Sequence, residues 1–114
     1  MVLLRRHHGK EGRSTPPHAI EHRANIFALN AAECDAVLAT YSVGTLVDWL
    51  PPGEVGLVGD LLDLSGRVWT FHDADATHTD LGDVFSSTLR KHLRDEIPVL
   101  SRPRDCILAM MPGP

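Results

Sequence analysis

Apolar runs fenced by glycine or proline, with helix-like stretches between them, constrain this chain more than any other feature. Residues 36–40 read Ala-Val-Leu-Ala-Thr, a short apolar run of the kind that makes a buried parallel strand. Residues 55–62 and 67–71 read as two further strands separated by Ser65 and Gly66, and residues 105–110 as a last one. Ahead of them, residues 22–33 carry apolar side chains around most of a helical surface, so a largely buried helix is expected there. Residues 84–95 suit a second helix, with Leu89 and Leu93 one turn apart and Arg90, Lys91 and Arg94 on the wet side. Helices alternating with apolar strands predict an α/β fold whose sheet is at least partly parallel. Residues 9–17 form a loop by composition, Gly44 marks a turn after the first strand, and Pro51-Pro52-Gly53 breaks the chain again.

Charge narrows the function classes. The net charge of −4 argues against a general nucleic-acid binder. No apolar run approaches the roughly 20 residues that a membrane-spanning helix needs. Two cysteines, Cys34 and Cys106, cannot make a disulfide framework or a metal site by themselves, and reduced thiols in a cytoplasmic protein are expected. The charge is nonetheless uneven. Residues 1–25 hold five basic and two acidic side chains with four of the seven histidines, whereas residues 26–96 hold four basic and twelve acidic ones. If the fold gathers the first segment at a cleft, that cleft attracts an anion. The acidic loop with Asp73, Asp75, Asp80 and Asp83 beside His72 and His78 matches no tight metal-ligand spacing. Cys34 has no neighbouring base to activate it as a nucleophile.

The most informative stretch is Pro17-His18-Ala19-Ile20-Glu21-His22-Arg23-Ala24-Asn25-Ile26-Phe27-Ala28-Leu29. It resembles the Pro-His-x-x-x-Tyr-Arg-Ala-Asn-Ile-x-Ala-Leu pattern of the purine nucleoside and methylthioadenosine phosphorylase family. Companion segments follow the family's order. Arg6-His7-His8-Gly9 stands where the family has Arg-His-Gly, and Ser42-Val43-Gly44-Thr45-Leu46 resembles its Ala-Val-Gly-Ser-Leu turn. Pro52-Gly53-Glu54 is similar to its Pro-Gly-Asp, and Asp60-Leu61-Leu62-Asp63 to its Asp-Gln-Phe-Ile-Asp with one residue fewer between the acids. Residues 78–90 resemble its His-x-x-x-x-x-Pro-Phe-x-x-x-Leu-Arg, and Gly113-Pro114 its Gly-Pro-Arg-Phe-Glu-Thr.

The resemblance implies a partial phosphorylase-like domain over residues 1–114, with a mixed sheet flanked by helices. It lacks the family's N-terminal phosphate loop and its C-terminal base- and ribose-binding part. Both ends read as cut, since Val2-Leu3-Leu4 looks like the end of a strand and Pro112-Gly113-Pro114 turns toward an element that does not follow. The implied activity is glycosyl transfer: phosphate cleaves the N-glycosidic bond of a purine (methylthio)nucleoside, giving free purine and a pentose 1-phosphate. Inorganic phosphate is then a co-substrate, no cofactor or metal is needed, and an intact family member assembles as a trimer or hexamer.

Residue by residue, the resemblance places Arg6, His7 and His8 at phosphate, though the extra histidine leaves two registers: an inserted residue, or His7 in the arginine position. Tyr41 and Ser42 stand where the family's post-strand turn contacts phosphate; packing over that turn is the alternative for Tyr41, and Gly44 is read as a backbone requirement, a positive φ or a close approach. His78 aligns with a histidine that approaches the 5′ end of the nucleoside. No catalytic residue is assigned, and His18, Arg23 and Asn25 are read as structural. Two functions follow: a phosphorylase portion inactive alone, or a non-catalytic remnant that serves as an interaction module.

Overall fold

The computed structural model describes residues 1–97 and 104–111, and the chain divides into two compact units, Met1–Tyr41 and Ser42–Pro114. The fold class is α/β.

The second unit is a β–α–β arrangement. Strand β1 spans Gly56–Asp63 and strand β2 spans Arg104–Met110; they pair in parallel, from Gly56 opposite Arg104 to Asp63 opposite Met110. Two of the four expected strands therefore form, within a residue or so of the expected bounds. The register slips by one between Val58 and Asp60, leaving Gly59 as the extra residue of a bulge. Beyond the strand, the Leu64 amide donates to the Met110 carbonyl at 2.8 Å.

A parallel pair needs a crossover, and the crossover here contains helix α1, Ser87–Glu96. It starts three residues later than expected because Ser86 caps it: the Ser86 Oγ accepts from the Leu89 amide at 3.2 Å. It ends where Pro98 follows in sequence, which pushes Ile97 out of the helical region, to φ −105° and ψ 71°.

The face of α1 corrects one expectation. Leu89 and Leu93 are half-buried as expected, but Arg90 is not on the wet side: its side chain is only 23% exposed. Positions 90, 93 and 94 share a face at helical spacing, and that face meets the sheet. The Arg90 guanidinium lies over the bulge, so close that a Cβ on Gly59 would come within 3.0 Å of its Nη2. Arg94 Nη2 donates to both carboxylate oxygens of Asp105 on β2, at 2.7 and 2.8 Å, and Arg90 Nη2 stands 3.4 Å from the same carboxylate. Those arginines hold the Asp105 carboxyl below its ordinary range, Arg94 most of all.

The first unit opens with a tight hairpin, residues 8–14, whose tip is a 3-10 turn at Lys10–Gly12; a second 3-10 turn at Pro17–Ala19 and helix α2 over His22–Ala31 follow. The helix stands where expected, but its burial does not. None of its residues is buried, and Phe27 is 67% exposed. Its alanines and leucine supply helix propensity while Ile26 and Phe27 stay exposed. The helix closes with Glu33 in the left-handed region at φ 51°, its amide donating to the Asn30 carbonyl.

Residues 36–40 and 67–71, expected as strands, are irregular. A strand exists only through a ladder to a neighbour, and among the described residues neither run has one. Among the described residues the sheet is accordingly two parallel strands rather than a larger mixed one. The expected interruption at Pro98 and Pro103 and the turn at 112–114 lie outside the described residues.

Candidate anion-binding site

The hairpin that opens the first unit exists because of one glycine. The Gly9 amide donates to the Arg13 carbonyl at 2.7 Å, and the Thr15 amide to the His7 carbonyl at 2.8 Å. A Cβ on Gly9 would stand 2.8 Å from the Arg13 carbonyl oxygen and 2.8 Å from Thr15 Oγ1, so no other residue permits this approach undistorted. The tip turns through two successive left-handed residues, Glu11 at φ 56° and Gly12 at φ 75°.

Folding the chain back in this way gathers Arg5, Arg6, His7, His8, Gly12, Arg13 and Ser14 around an open pocket of about 280 Å³. Small-molecule sites run to roughly 300–1,000 Å³, so this one suits a small anion better than a whole nucleoside. Three arginines and two histidines are among the residues that line it. Glu11 comes only to 3.9 Å from Arg13, and both are exposed, which makes it a weak competitor for that charge. The arginines can each present two parallel donors to an oxyanion.

Two contacts orient the lining. The Arg6 guanidinium lies 5.2 Å from the centroid of the Tyr41 ring, a cation–π pair that steadies it. His7 Nδ1 lies 3.1 Å from the Thr15 carbonyl oxygen, and a carbonyl only accepts, so Nδ1 carries the hydrogen.

Arg6, His7 and His8 are thus neighbours at one pocket, with Tyr41 behind Arg6. Arg5 and Arg13, two of the five basic side chains of residues 1–25, also line it, as do Gly12 and Ser14, which no sequence motif marks. The bridge from His8 to Ser14 brings them in, and the glycines at 9 and 12 were its available signal.

Ser42 and His78 belong to the second unit, where both are exposed. The turn expected at residues 42–45 is absent. That stretch is irregular, Gly44 has no left-handed φ, and nothing lies within 4 Å of where its Cβ would be. The local turn is supplied by Thr45 instead, whose Oγ1 donates to the Val47 carbonyl at 2.9 Å. The chain there finds an alternative to the glycine turn in a side-chain hydroxyl.

His78 sits between two aspartate-built turns. Asp75 Oδ1 accepts from the Thr77 amide at 3.1 Å and pairs with His72 at 3.3 Å, and Asp80 Oδ1 accepts from the Gly82 amide at 2.8 Å. The Thr77 contacts, aided by His72, hold the Asp75 carboxyl below its ordinary range. These acids serve the backbone locally. Among the described residues no group of three His, Cys, Asp or Glu side chains is placed to hold a metal ion, and no helix is long and apolar enough to cross a membrane.

No family model matches the chain, and no solved structure matches it significantly. Several curated proteins do. A probable 6-oxopurine nucleoside phosphorylase of Thermococcus kodakarensis is 35% identical over 102 residues, covering 82% of this chain and 38% of that protein. An S-methyl-5′-thioadenosine phosphorylase of Thermofilum pendens is 34% identical over 86 residues, 74% of this chain and 32% of its own length. A probable S-methyl-5′-thioinosine phosphorylase of Methanocaldococcus jannaschii is 36% identical over 96 residues, 82% of this chain and 37% of its own. The chain spans about a third of the length of these relatives. Across that span it is homologous to a segment of the purine and methylthio-nucleoside phosphorylase family.

Proposed function

We propose that this chain is the phosphate-binding portion of a purine nucleoside phosphorylase, a cytoplasmic enzyme of purine and methylthioadenosine salvage. Inorganic phosphate attacks the anomeric carbon of a purine (methylthio)nucleoside, releasing free purine and a pentose 1-phosphate. The sugar passes through a cationic, oxocarbenium-like state, so an anion held against it both reacts with it and stabilises it. The observation that carries this reading is the basic pocket of Arg5, Arg6, His7, His8 and Arg13 in a chain that aligns with phosphorylases. Tyr41 supports Arg6, while Ser42 is carried as a phosphate residue and His78 as the residue for the nucleoside's 5′ end on the family resemblance alone. In this reading residues 1–114 are one partial phosphorylase-like domain, needing no cofactor or metal and belonging to a trimer or hexamer in an intact enzyme.

The chain by itself is expected to be inactive. Phosphorolysis needs a site closed to water, and among the described residues Ile20 is the only buried hydrophobic side chain. Steady-state assays with methylthioadenosine, inosine and guanosine in phosphate buffer should give background turnover, while phosphate binding should be lost in Arg6→Ala. Robust turnover would contradict inactivity, and a wild-type chain that binds no phosphate would remove the site. A second reading, an interaction module of the same fold, draws on the exposed Leu62 and Ile107 of the two-stranded sheet. Concentration-dependent association without phosphate binding would favour it.

A further inference from the structure

The hydrogen bond from His7 to the Thr15 carbonyl decides what this histidine can offer a ligand. With Nδ1 committed as a donor, Nε2 is the only ring nitrogen left, and its role depends on charge. Neutral His7 presents a lone pair at Nε2; protonated His7 presents an N–H. The other charged and titratable groups at the pocket are Arg5, Arg6, Arg13 and His8, with Glu11 beside Arg13. Guanidiniums keep their charge throughout the pH range in which imidazoles change theirs, about pH 5–8. Among the side chains named at the pocket, the histidines alone can therefore make the binding of a non-titrating anion depend on pH in that range.

We propose that His7 is a specificity-determining residue that couples oxyanion binding to one proton. The proposal rests on the anion-binding reading of the pocket. A dianion without a proton is held by His7 in its charged form, so above the titration of His7 its binding takes up one proton from solvent. A singly protonated oxyanion, such as hydrogen phosphate, is held by neutral His7, its O–H donating to the Nε2 lone pair. The two arrangements contain the same number of protons. The site therefore selects a tetrahedral oxyanion that shares one proton with the protein, and it discriminates against an unprotonated dianion as the pH rises.

Sulfate is the probe, because it remains a dianion from pH 5 to 8.5 whereas phosphate titrates in that range. Calorimetry on the full chain should show sulfate affinity falling by up to about tenfold per pH unit above the His7 midpoint, with uptake of up to one proton per ion. Long-range proton–nitrogen spectra should show neutral His7 with its hydrogen on Nδ1, and sulfate should raise the His7 midpoint. His7→Asn retains an amide donor for the Thr15 carbonyl and has no titrating nitrogen, so it should bind sulfate with the pH dependence removed. His8→Gln should keep that dependence.

Sulfate binding whose pH dependence survives in His7→Asn, or a neutral His7 carrying its hydrogen on Nε2, overturns the assignment and leaves the anion site standing. Absence of sulfate and phosphate binding at every pH in the wild-type chain overturns both. The spectra need no variant, so a misfolded His7→Asn protein does not shield the proposal.

Discussion

Replacing Gly9 by alanine should open the hairpin that forms the basic pocket. The added Cβ meets two oxygens at 2.8 Å, and one of them, the Arg13 carbonyl, is backbone that cannot rotate aside. That carbonyl also accepts from the Gly9 amide at 2.7 Å, so relieving the clash lengthens the hydrogen bond that closes the loop. Forcing an extra methyl into such a contact costs about 1–3 kcal/mol. The loss of unfolded-chain freedom on going from glycine to alanine returns about 0.4–1 kcal/mol. The difference leaves the hairpin destabilised by about 1–2 kcal/mol, a five- to thirtyfold rise in its open population. Amide hydrogen exchange at residue 9 and at Thr15 should accelerate by that factor, with amides of β1 unaffected. Gly44→Ala is the control: nothing lies within 4 Å of the new methyl, so it should be neutral or slightly stabilising. Unchanged protection at Thr15 in Gly9→Ala, or equal effects at the two glycines, would refute the close-approach argument.

Three further substitutions probe other elements. Glu33→Gly removes a side chain from a left-handed position and should stabilise the end of helix α2 by about 1 kcal/mol, read as a higher urea midpoint of its helical signal. Ser86→Ala deletes the cap on Leu89 and should cost helix α1 about 1 kcal/mol, visible as faster exchange in its first turn. Asp105→Asn should cost up to about 1 kcal/mol at neutral pH, since its ion pairs with Arg94 and Arg90 are half-exposed. The Asp105 carboxyl titrates below its ordinary range, so its contribution is full above the unfolded value, about 3.9, and fades as pH falls through the folded one. Denaturation midpoints of wild type and Asp105→Asn should converge in that acid range; a gap that persists there would exclude the ion pair as its source.

What could be read in the sequence, and what could not, divides along physical lines. Residues 55–62 and 105–110 became β1 and β2 because each apolar run found the other. Residues 36–40 have much the same composition and remain irregular, since local residues encode a preference for extension but not the neighbour that supplies the ladder. The same limit explains the helix at His22–Ala31, whose extent follows from propensity while its exposed Phe27 shows that an apolar face does not specify a cover. Glycines behaved similarly. Gly44 drew attention through its motif, yet the tight approach falls at Gly9, and only the fold of the hairpin distinguishes them. Arg6, His7 and His8 were legible as a cluster because they adjoin in sequence; Arg13 and Ser14 joined it through a bridge that no periodicity marks.

The parallel pairing of β1 with β2 also carries a kinetic consequence. About 40 residues separate the strands, and closing a loop of that length costs roughly 3 kcal/mol of chain entropy before the first ladder bond forms. The Arg94–Asp105 contact spans only eleven residues. Helix α1 and β2 can therefore meet early, and the ladder to β1 forms late, as a slow step set by sequence separation. A mutation in the bulge at Gly59 should then accelerate unfolding more than it retards folding.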